Sequence, residues 1–215
     1  MNARDEILQR VATGVGKADF AARRAAAEAW LASRSCGPQP AIGDALLARF
    51  RAKAESLASS VDAVAEEAAA PAAVARYLAA GNLGKAAVVT GDMARLDWAG
   101  CGLDVVARAA RDDDLVGISG CFCGIAETGT LMLLSGPDTP ATVSLLPETH
   151  IALVPVSRIV GTMEDAFALL RAERGALPRA VNFISGPSRT GDIEQTIVLG
   201  AHGPCRVHLI LTGSL

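Results

Sequence analysis

The amino-acid sequence predicts an α/β protein in which helices cover both sides of a mainly parallel β-sheet. Apolar residues make up 51% of the 215 residues but aromatic residues only 4%, which favours a core of Ala, Leu, Val and Ile over the aromatic-rich core of a β-sandwich. Short continuous apolar runs such as Ala86–Val89 are bounded by glycine and polar residues, as is typical of strands buried on both faces. Because such runs alternate with segments of helical periodicity, the sheet should be mainly parallel.

The first part of the chain has a helical pattern throughout. Residues 3–15 carry apolar side chains at helical spacing, and Asn2 with Asp5 resembles an N-cap pair. Residues 21–33 are a helix-forming run rich in Ala, Arg and Glu. We therefore expect an N-terminal helical arm over residues 1–45.

An α/β domain is expected over residues 46–215. It should begin with helices, because apolar residues from Leu47 to Val64 alternate in steps of three and four. This helix is predicted to be broken or restarted near Ser59. A further helix is predicted over 72–78, with Pro71 near its first turn.

The rest of the domain alternates between predicted strands and a capped helix. That helix should begin at Thr162, which forms a capping pattern with Asp165, and end at Gly175. The predicted strands are Ala86–Val89, Leu115–Ser119, Thr130–Leu134, Ile151–Pro155, Ala180–Ile184 and Val207–Leu211.

Charge and cysteine content exclude several classes of protein. The net charge is −3, from 20 basic and 23 acidic residues without a basic block, so nucleic-acid binding through a basic face is not expected. The five cysteines include no C-x-x-C pair, and we expect neither a disulfide framework nor a metal or iron–sulfur cluster held by this chain alone. Apolar runs are too short for a membrane segment and the charged N-terminus is not a secretory signal, which predicts a cytoplasmic protein.

The stretch Phe183–Pro204 concentrates polar groups directly after a predicted strand. It breaks at Ser185–Pro187 and then carries hydroxyls, a guanidinium and carboxylates. Loops at the carboxyl ends of strands in open α/β sheets commonly bind ligands. Ser188, Thr190 or Gly191 could begin a helical turn, and Arg189 could clamp a carboxylate or phosphate with two hydrogen bonds. This interpretation predicts an anion-binding pocket.

A purely structural interpretation of the same stretch stays open. Ser188 and Thr190 could simply cap a turn, while Arg189 pairs with Asp192 or Glu194. Spacing alone does not separate the two interpretations.

A second stretch with chemical potential is Gly120–Thr130. Glu127 stands at a predicted strand boundary, and Gly129 beside it permits close approach of a ligand. The carboxylate could act as a base, a nucleophile or a hydrogen-bond acceptor. Alternatively, it forms an ion pair with Arg189 or caps a turn.

Cysteines and histidines give weaker indications. Cys121 and Cys123 form a C-x-C pair that would place both thiols on one face of a strand, where such residues are more often small buried hydrophobes. His208 lies inside the last predicted strand, which indicates a core histidine. His150 and His202 fall at strand or loop edges, where a ligand role is open.

Three of these stretches together resemble the lactate-utilisation domain (LUD) family, in particular its protein C and YkgG-like branch. They are A-E-T-G-T at 126–130, S-G-P-S-R-T-G-D-I-E at 185–194 and L-G-A-H-G-P at 199–204. The resemblance covers most of the chain. One departure is Gly120-Cys121-Phe122, where the family often has Gly-Ala-Asp, so an acidic group is missing here.

The resemblance implies a fold, a function and a site. The fold is the three-layer α/β/α sandwich of the ribose-5-phosphate isomerase, glucosamine-6-phosphate deaminase and CoA-transferase group. The function is that of a subunit in the oxidation of L-lactate to pyruvate. Iron–sulfur clusters are then expected on partner subunits and no cofactor on this chain, which should be inactive alone.

The implied site holds a small hydroxy- or keto-acid through its carboxylate. The predicted catalytic residues are Glu127 and His202, and the predicted substrate-binding residues are Thr128, Gly129, Thr130, His150, Ser185, Gly186, Ser188, Arg189, Thr190, Asp192 and Glu194.

Two alternatives remain. The E-x-G pattern at Glu127 also resembles the glutamate loop of CoA-transferases, in which that carboxylate would form an acyl-glutamyl intermediate. The third hypothesis is a ligand-binding or assembly module without catalysis.

Overall fold

The computed structural model describes residues 2–16, 19–193 and 196–213 of the chain. Its contacts divide the chain into two units, Met1–Pro40 and Ala41–Leu215. No helix in the described ranges is both long enough and apolar enough to cross a membrane.

The first unit consists of two helices, α1 (Ala3–Val15) and α2 (Phe20–Ser33). Asn2 caps α1, as predicted, because its side-chain oxygen accepts a hydrogen bond of 2.9 Å from the backbone N–H of Asp5. Both helices expose their large apolar side chains, which are Ile7, Leu8, Val11, Val15, Phe20, Trp30 and Leu31.

The second unit contains the sheets of the protein. In the described residues its α-helices and strands are, in chain order, α3 (Leu46–Ser56), β1 (Ser60–Val64), α4 (Ala70–Ala80), β2 (Ala86–Val89), β3 (Asp104–Ala107), β4 (Val116–Gly120), β5 (Cys123–Ile125), β6 (Thr130–Leu134), α5 (Thr142–Leu145), β7 (Thr149–Pro155), β8 (Ile159–Val160), α6 (Met163–Arg174), β9 (Val181–Ile184), β10 (Arg189–Ile193), β11 (Thr196–Leu199) and β12 (Arg206–Thr212).

A six-stranded sheet in the order β1-β12-β7-β4-β2-β3 forms the centre of this unit. All of its neighbouring strands are parallel. The carboxyl ends of β2, β4 and β7 therefore meet at one edge. The predicted mainly parallel sheet is confirmed.

A second sheet of four strands, in the order β8-β5-β6-β9, was not predicted. Its strands β5 and β6, and β6 and β9, pair antiparallel. The predicted strand at 180–184 is thus an edge strand of this small sheet and does not belong to the parallel sheet.

The polar segment after β9 is extended and not helical. Arg189 begins β10, which pairs antiparallel with β11. The helical turn predicted to start at Ser188, Thr190 or Gly191 is therefore wrong.

The layers follow from the alternation of side chains along the parallel strands. Ile151 and Leu153 of β7 pack in the cluster that contains α4, while Ala152 and Val154 pack on α3 and the four-stranded sheet. Helix α6 covers the far face of the four-stranded sheet through Leu170. The protein is an α/β fold whose central sheet is flanked by helices, as predicted.

The helix predicted from Leu47 to Val64 is wrong in its second half, because α3 ends at Ser56. The N–H of Ser59 donates to the carbonyl of Ala54 at 3.0 Å, and the N–H of Ala58 donates to that of Glu55 at 2.9 Å. This is the Schellman pattern that ends many helices. Ala58 has a φ of 68°, a left-handed conformation usually taken by glycine, so the sequence carries no glycine to mark the end of the helix.

Gly129 allows the turn between β5 and β6 to touch the backbone of α3. Its φ is +68°, and an added Cβ would lie 2.4 Å from the backbone nitrogen of Ala54. Gly102, which follows the 3-10 turn Ala99–Cys101, is left-handed with a φ of +73°, and no described atom lies within 4 Å of an added Cβ. Alanine substitutions at the two glycines therefore distinguish the cost of backbone strain, which both share, from the cost of the steric clash with α3, which only Gly129 has.

We predict that Gly129→Ala destabilises the fold much more than Gly102→Ala. The left-handed φ costs about 1–2 kcal/mol in either variant, and the clash with α3 adds about 1–3 kcal/mol in Gly129→Ala alone. Urea unfolding of the wild type and both variants measures this difference. Equal losses in the two variants would contradict the close approach of the turn to α3.

Candidate functional site

The turn 126–129 and the loop after β9 meet through their hydroxyl groups. Pairing of β6 with β9 sets Leu131 opposite Ile184. At the end of this pair, the hydroxyl oxygens of Thr130 and Ser185 are 2.7 Å apart, and that of Thr128 is 2.7 Å from that of Thr130. The two longest motif stretches therefore share a chain of hydrogen-bonded hydroxyls.

The same loop packs on the last turn of α3. Gly186 has a φ of +81°, and an added Cβ would lie 2.3 Å from the carbonyl oxygen of Leu57. The Arg189 guanidinium donates a hydrogen bond of 2.9 Å from Nη2 to this same oxygen. The end of α3 is thus where the loop is anchored.

The third motif stretch, residues 199–204, is joined to the same loop by backbone hydrogen bonds of Ser188. The N–H of Ser188 donates to the carbonyl of Pro204 at 2.8 Å, and the N–H of Gly200 donates to the carbonyl of Ser188 at 2.9 Å. All three stretches therefore meet around 185–189, and we call this assembly the motif junction. His202 is exposed in the 199–204 loop and borders a surface recess together with Glu148.

Other predicted site residues are placed around the motif junction. Glu127 is half-buried and its N–H donates to the carbonyl of Gly161 at 2.9 Å. Among the described residues no ion pair joins Glu127 to Arg189. Thr190 pairs with Val198 in the β10–β11 ladder. The roles of these residues in binding or catalysis stay predictions.

Two of the predicted binding residues cannot be placed in the junction. Glu194 lies outside the described residues. Asp192 belongs to β10, but its side chain also lies outside the described part of the structure.

His150 lies inside β7 and not at a strand edge as predicted. It is completely buried, and its Nε2 lies 2.9 Å from the hydroxyl oxygen of Ser119 on β4. Burial lowers the pKa of His150 to about 4. The ring is therefore neutral at physiological pH.

His208 is a core histidine, as predicted. Its ring stacks on that of Tyr77, with 3.8 Å between centroids and 6° between planes. Nδ1 lies 2.8 Å from the hydroxyl of Ser60. Burial lowers its pKa to about 4, although Asp62 acts in the opposite direction.

The two cysteines of the C-x-C pair do not lie on one face. Cys121 precedes β5 and packs against the cluster between the two sheets, whereas Cys123 lies in the cluster beneath α6. Burial raises the pKa of Cys123 to about 11 and that of Cys121 well above its ordinary value, so both are thiols at neutral pH. In the described ranges no three His, Cys, Asp or Glu side chains lie close enough to hold a metal ion.

A cleft at the carboxyl ends of β2, β4 and β7 was missed by the sequence analysis. It has a volume of about 360 Å³ and is bordered by Thr90, Asp92, Ser119, Phe122 and Arg158, among others. The available signal was the position of Thr90 and Ser119 at the ends of two predicted parallel strands, since ligands commonly bind there. The junction residues Thr130 and Ser185 do not border this cleft.

The buried histidines predict a loss of stability in mild acid. His150 and His208 stay neutral in the fold down to a pKa of about 4, against an ordinary value of 6.5. Between these values the unfolded chain binds more protons, so the free energy of unfolding falls as the pH drops from 6.5 towards 4. Each histidine contributes at most about 1.4 kcal/mol per pH unit.

His150→Gln tests this contribution, because the glutamine amide can still reach Ser119 but does not titrate. Urea unfolding as a function of pH should give a smaller loss of stability between about pH 6.5 and pH 5 in the variant than in the wild type. An equal loss in both proteins would mean that His150 is not held neutral by burial.

Comparison with known proteins identifies a family that covers most of the chain. Residues 47–212 match the family model described as the LUD domain. A crystal structure of a DUF162 family protein from Deinococcus radiodurans is similar with a TM-score of 0.60 and 26% sequence identity, over 78% of this chain and 96% of that one.

Similar curated proteins include two named lactate utilization protein C. The protein from Bacillus licheniformis is 37% identical over 119 residues, which cover 54% of this chain and 49% of the relative. The protein from Bacillus subtilis is 43% identical over 99 residues, which cover 45% of this chain and 41% of the relative. An uncharacterized protein from Neisseria meningitidis is 46% identical over 88 residues, which cover 41% of this chain and 38% of the relative.

In each of these curated relatives the matched stretch spans less than half of the relative's length. The family model, in contrast, matches most of this chain and includes all three motif stretches. The protein belongs to the LUD domain family.

Proposed function

We propose that this chain acts in lactate utilisation, as a subunit of a system that oxidises L-lactate to pyruvate. Its membership of the LUD domain family and its similarity to proteins named lactate utilization protein C support this role. In this proposal the chain carries no redox group and works with partner subunits that hold iron–sulfur clusters.

The observation that carries the proposal is the motif junction. Hydrogen bonds of Ser185 and Ser188 join the stretch 185–194 to the distant stretch 126–130 and to the stretch 199–204. Arg189 is held beside them by its bond to the carbonyl of Leu57. Hydroxyl groups and a guanidinium are suitable donors for a carboxylate. We propose that the junction holds the carboxylate of a small hydroxy- or keto-acid, with Glu127 or His202 near its hydroxyl.

The need for partners follows from the chemistry of the reaction. Oxidation of lactate to pyruvate removes two electrons, and protein side chains do not accept a hydride. Electrons must therefore pass to a redox group on another subunit. The isolated chain is expected to bind the acid without turnover.

The test is lactate-dependent dye reduction by the isolated chain and by a tagged chain recovered with its partners from its own host grown on lactate. Only the recovered complex should turn over, and it should show iron–sulfur absorption. Arg189→Ala should lower kcat/KM by at least about tenfold, since a hydrogen bond to a charged group is lost. Glu127→Gln should lower kcat.

Matched controls use charged residues away from the junction. Arg76→Ala removes an arginine that pairs with Asp62 at the surface, and Glu164→Gln changes an exposed glutamate in the first turn of α6. Neither should change turnover.

Two results would contradict the proposal. One is a recovered complex without iron–sulfur absorption and without lactate-dependent activity. The other is an acyl adduct on Glu127, trapped with an acyl-CoA and hydroxylamine, which would instead support the CoA-transferase alternative.

A further inference from the structure

The cleft at the carboxyl ends of β2, β4 and β7 has a floor made of two hydroxyl groups. In the parallel pairing of β2 with β4, Val88 lies opposite Gly117 and Val89 opposite Ile118. This register brings Thr90 beside Ser119 on the same face. Both residues border the cleft, although only 3% and 2% of their surfaces are exposed.

The hydroxyl of Thr90 has no hydrogen-bond partner among the described residues. Buried polar groups are almost always paired, and a buried hydroxyl without a partner destabilises the fold. Because Thr90 borders an open cleft, a bound ligand can supply the missing bond. This is the observation that marks the cleft as a binding site.

His150 orients the second hydroxyl of the floor. Its Nε2 lies 2.9 Å from the Ser119 oxygen, and its buried Nδ1 has no partner among the described residues. Leaving a buried acceptor unpaired costs less free energy than leaving a buried N–H unpaired. This difference favours the neutral tautomer with the proton on Nε2. The ring then donates to Ser119, whose own proton is left to donate into the cleft.

The walls and mouth of the cleft are different in character. Met93, Phe122 and Leu133 supply apolar walls, and the guanidinium of Arg158 lies 4.7 Å from the centre of the Phe122 ring. Exposed Asp92 stands at the mouth, where its carboxylate can accept a hydrogen bond from a ligand hydroxyl.

The size of the cleft exceeds that of lactate. Its volume of about 360 Å³ corresponds to roughly twelve water molecules at about 30 Å³ each. It also lies at the lower end of the range typical of small-molecule sites. A ligand that fills it needs an apolar part to cover the walls.

We infer that this cleft binds an organic acid, specifically a 2-hydroxy or 2-keto acid with an apolar side chain larger than the methyl group of lactate. The carboxylate accepts hydrogen bonds from Thr90 and Ser119, and the side chain packs against Met93 and Phe122. The 2-oxygen faces Asp92 when it carries a hydroxyl. This site is separate from the motif junction and does not depend on the proposed role in lactate oxidation.

Calorimetric titration of the full chain tests the inference, with 2-hydroxy-4-methylvalerate as the probe, its amide as the neutral analogue and L-lactate as the small one. We expect the acid to bind at least about tenfold more tightly than either analogue. Thr90→Val should weaken binding of the acid by a similar factor.

Thermal unfolding of Thr90→Val gives a second readout. Since the substitution removes an unpartnered buried hydroxyl while keeping the shape of the side chain, the free variant should melt no lower than the wild type. Weaker binding then reports a lost contact and not a damaged fold.

Thr212→Val is the matched control, because Thr212 is a buried threonine at the end of β12 that belongs neither to the cleft lining nor to the motif junction. It should leave binding of the 2-hydroxy-4-methylvalerate probe unchanged. No binding of the probe by the wild type would overturn the inference. Binding that is lost in Thr130→Val but kept in Thr90→Val would assign the probe to the motif junction and would also overturn it. Either result leaves the dye-reduction test of lactate oxidation unaffected.

Discussion

The last turn of α3 is the constraint on which the motif stretches depend. Two backbone segments approach it so closely that only glycine fits, at Gly129 against Ala54 and at Gly186 against Leu57. Both glycines also need a left-handed backbone. The Leu57 carbonyl is left outside the helix ladder and accepts the Arg189 hydrogen bond. Any change that alters how α3 ends should therefore move all three stretches together.

This arrangement separates two kinds of polar group in the protein. In the motif junction the hydroxyls of Thr128, Thr130 and Ser185 already bond to one another, which rigidifies the loops. At the edge of the parallel sheet, Thr90 has no partner in the described part of the chain. The bonded hydroxyls hold the loops in place around the exposed guanidinium of Arg189, which is the proposed donor to the carboxylate. The unsatisfied hydroxyl of Thr90 is instead a place where a ligand adds a bond.

The sequence predicts the parts of the fold that depend on local patterns. The strand Ala86–Val89 has the predicted bounds, and α6 has the predicted capping box of Thr162 and Asp165. A break near Ser59 was predicted, but the strand β1 after it was not, because the apolar spacing continues in steps of three and four and an alanine occupies the left-handed position that glycine usually marks. Strands β5 and β8 have three and two residues, which is too short for a period to appear.

The candidate site could be predicted only in part, because the sequence does not show which strands lie next to each other. The motifs themselves are visible in the sequence, but periodicity does not tell which sheet a strand joins, and so the position of β9 was unknown. His150 was placed at a strand edge because the predicted strand began at Ile151, whereas β7 begins at Thr149. The cleft combines Thr90, Ser119 and Phe122 with residues from later strands, a grouping that only the sheet order creates.

A double-mutant cycle on the hydroxyl pair of the motif junction tests the central claim most directly, namely that distant motif stretches form one hydrogen-bonded unit. The free energy of unfolding would be measured for the wild type, Thr130→Val, Ser185→Ala and the double variant. A bonded pair predicts a coupling of about 1 kcal/mol. Losses that add to within about 0.3 kcal/mol would show that the two stretches are energetically independent and would contradict the account.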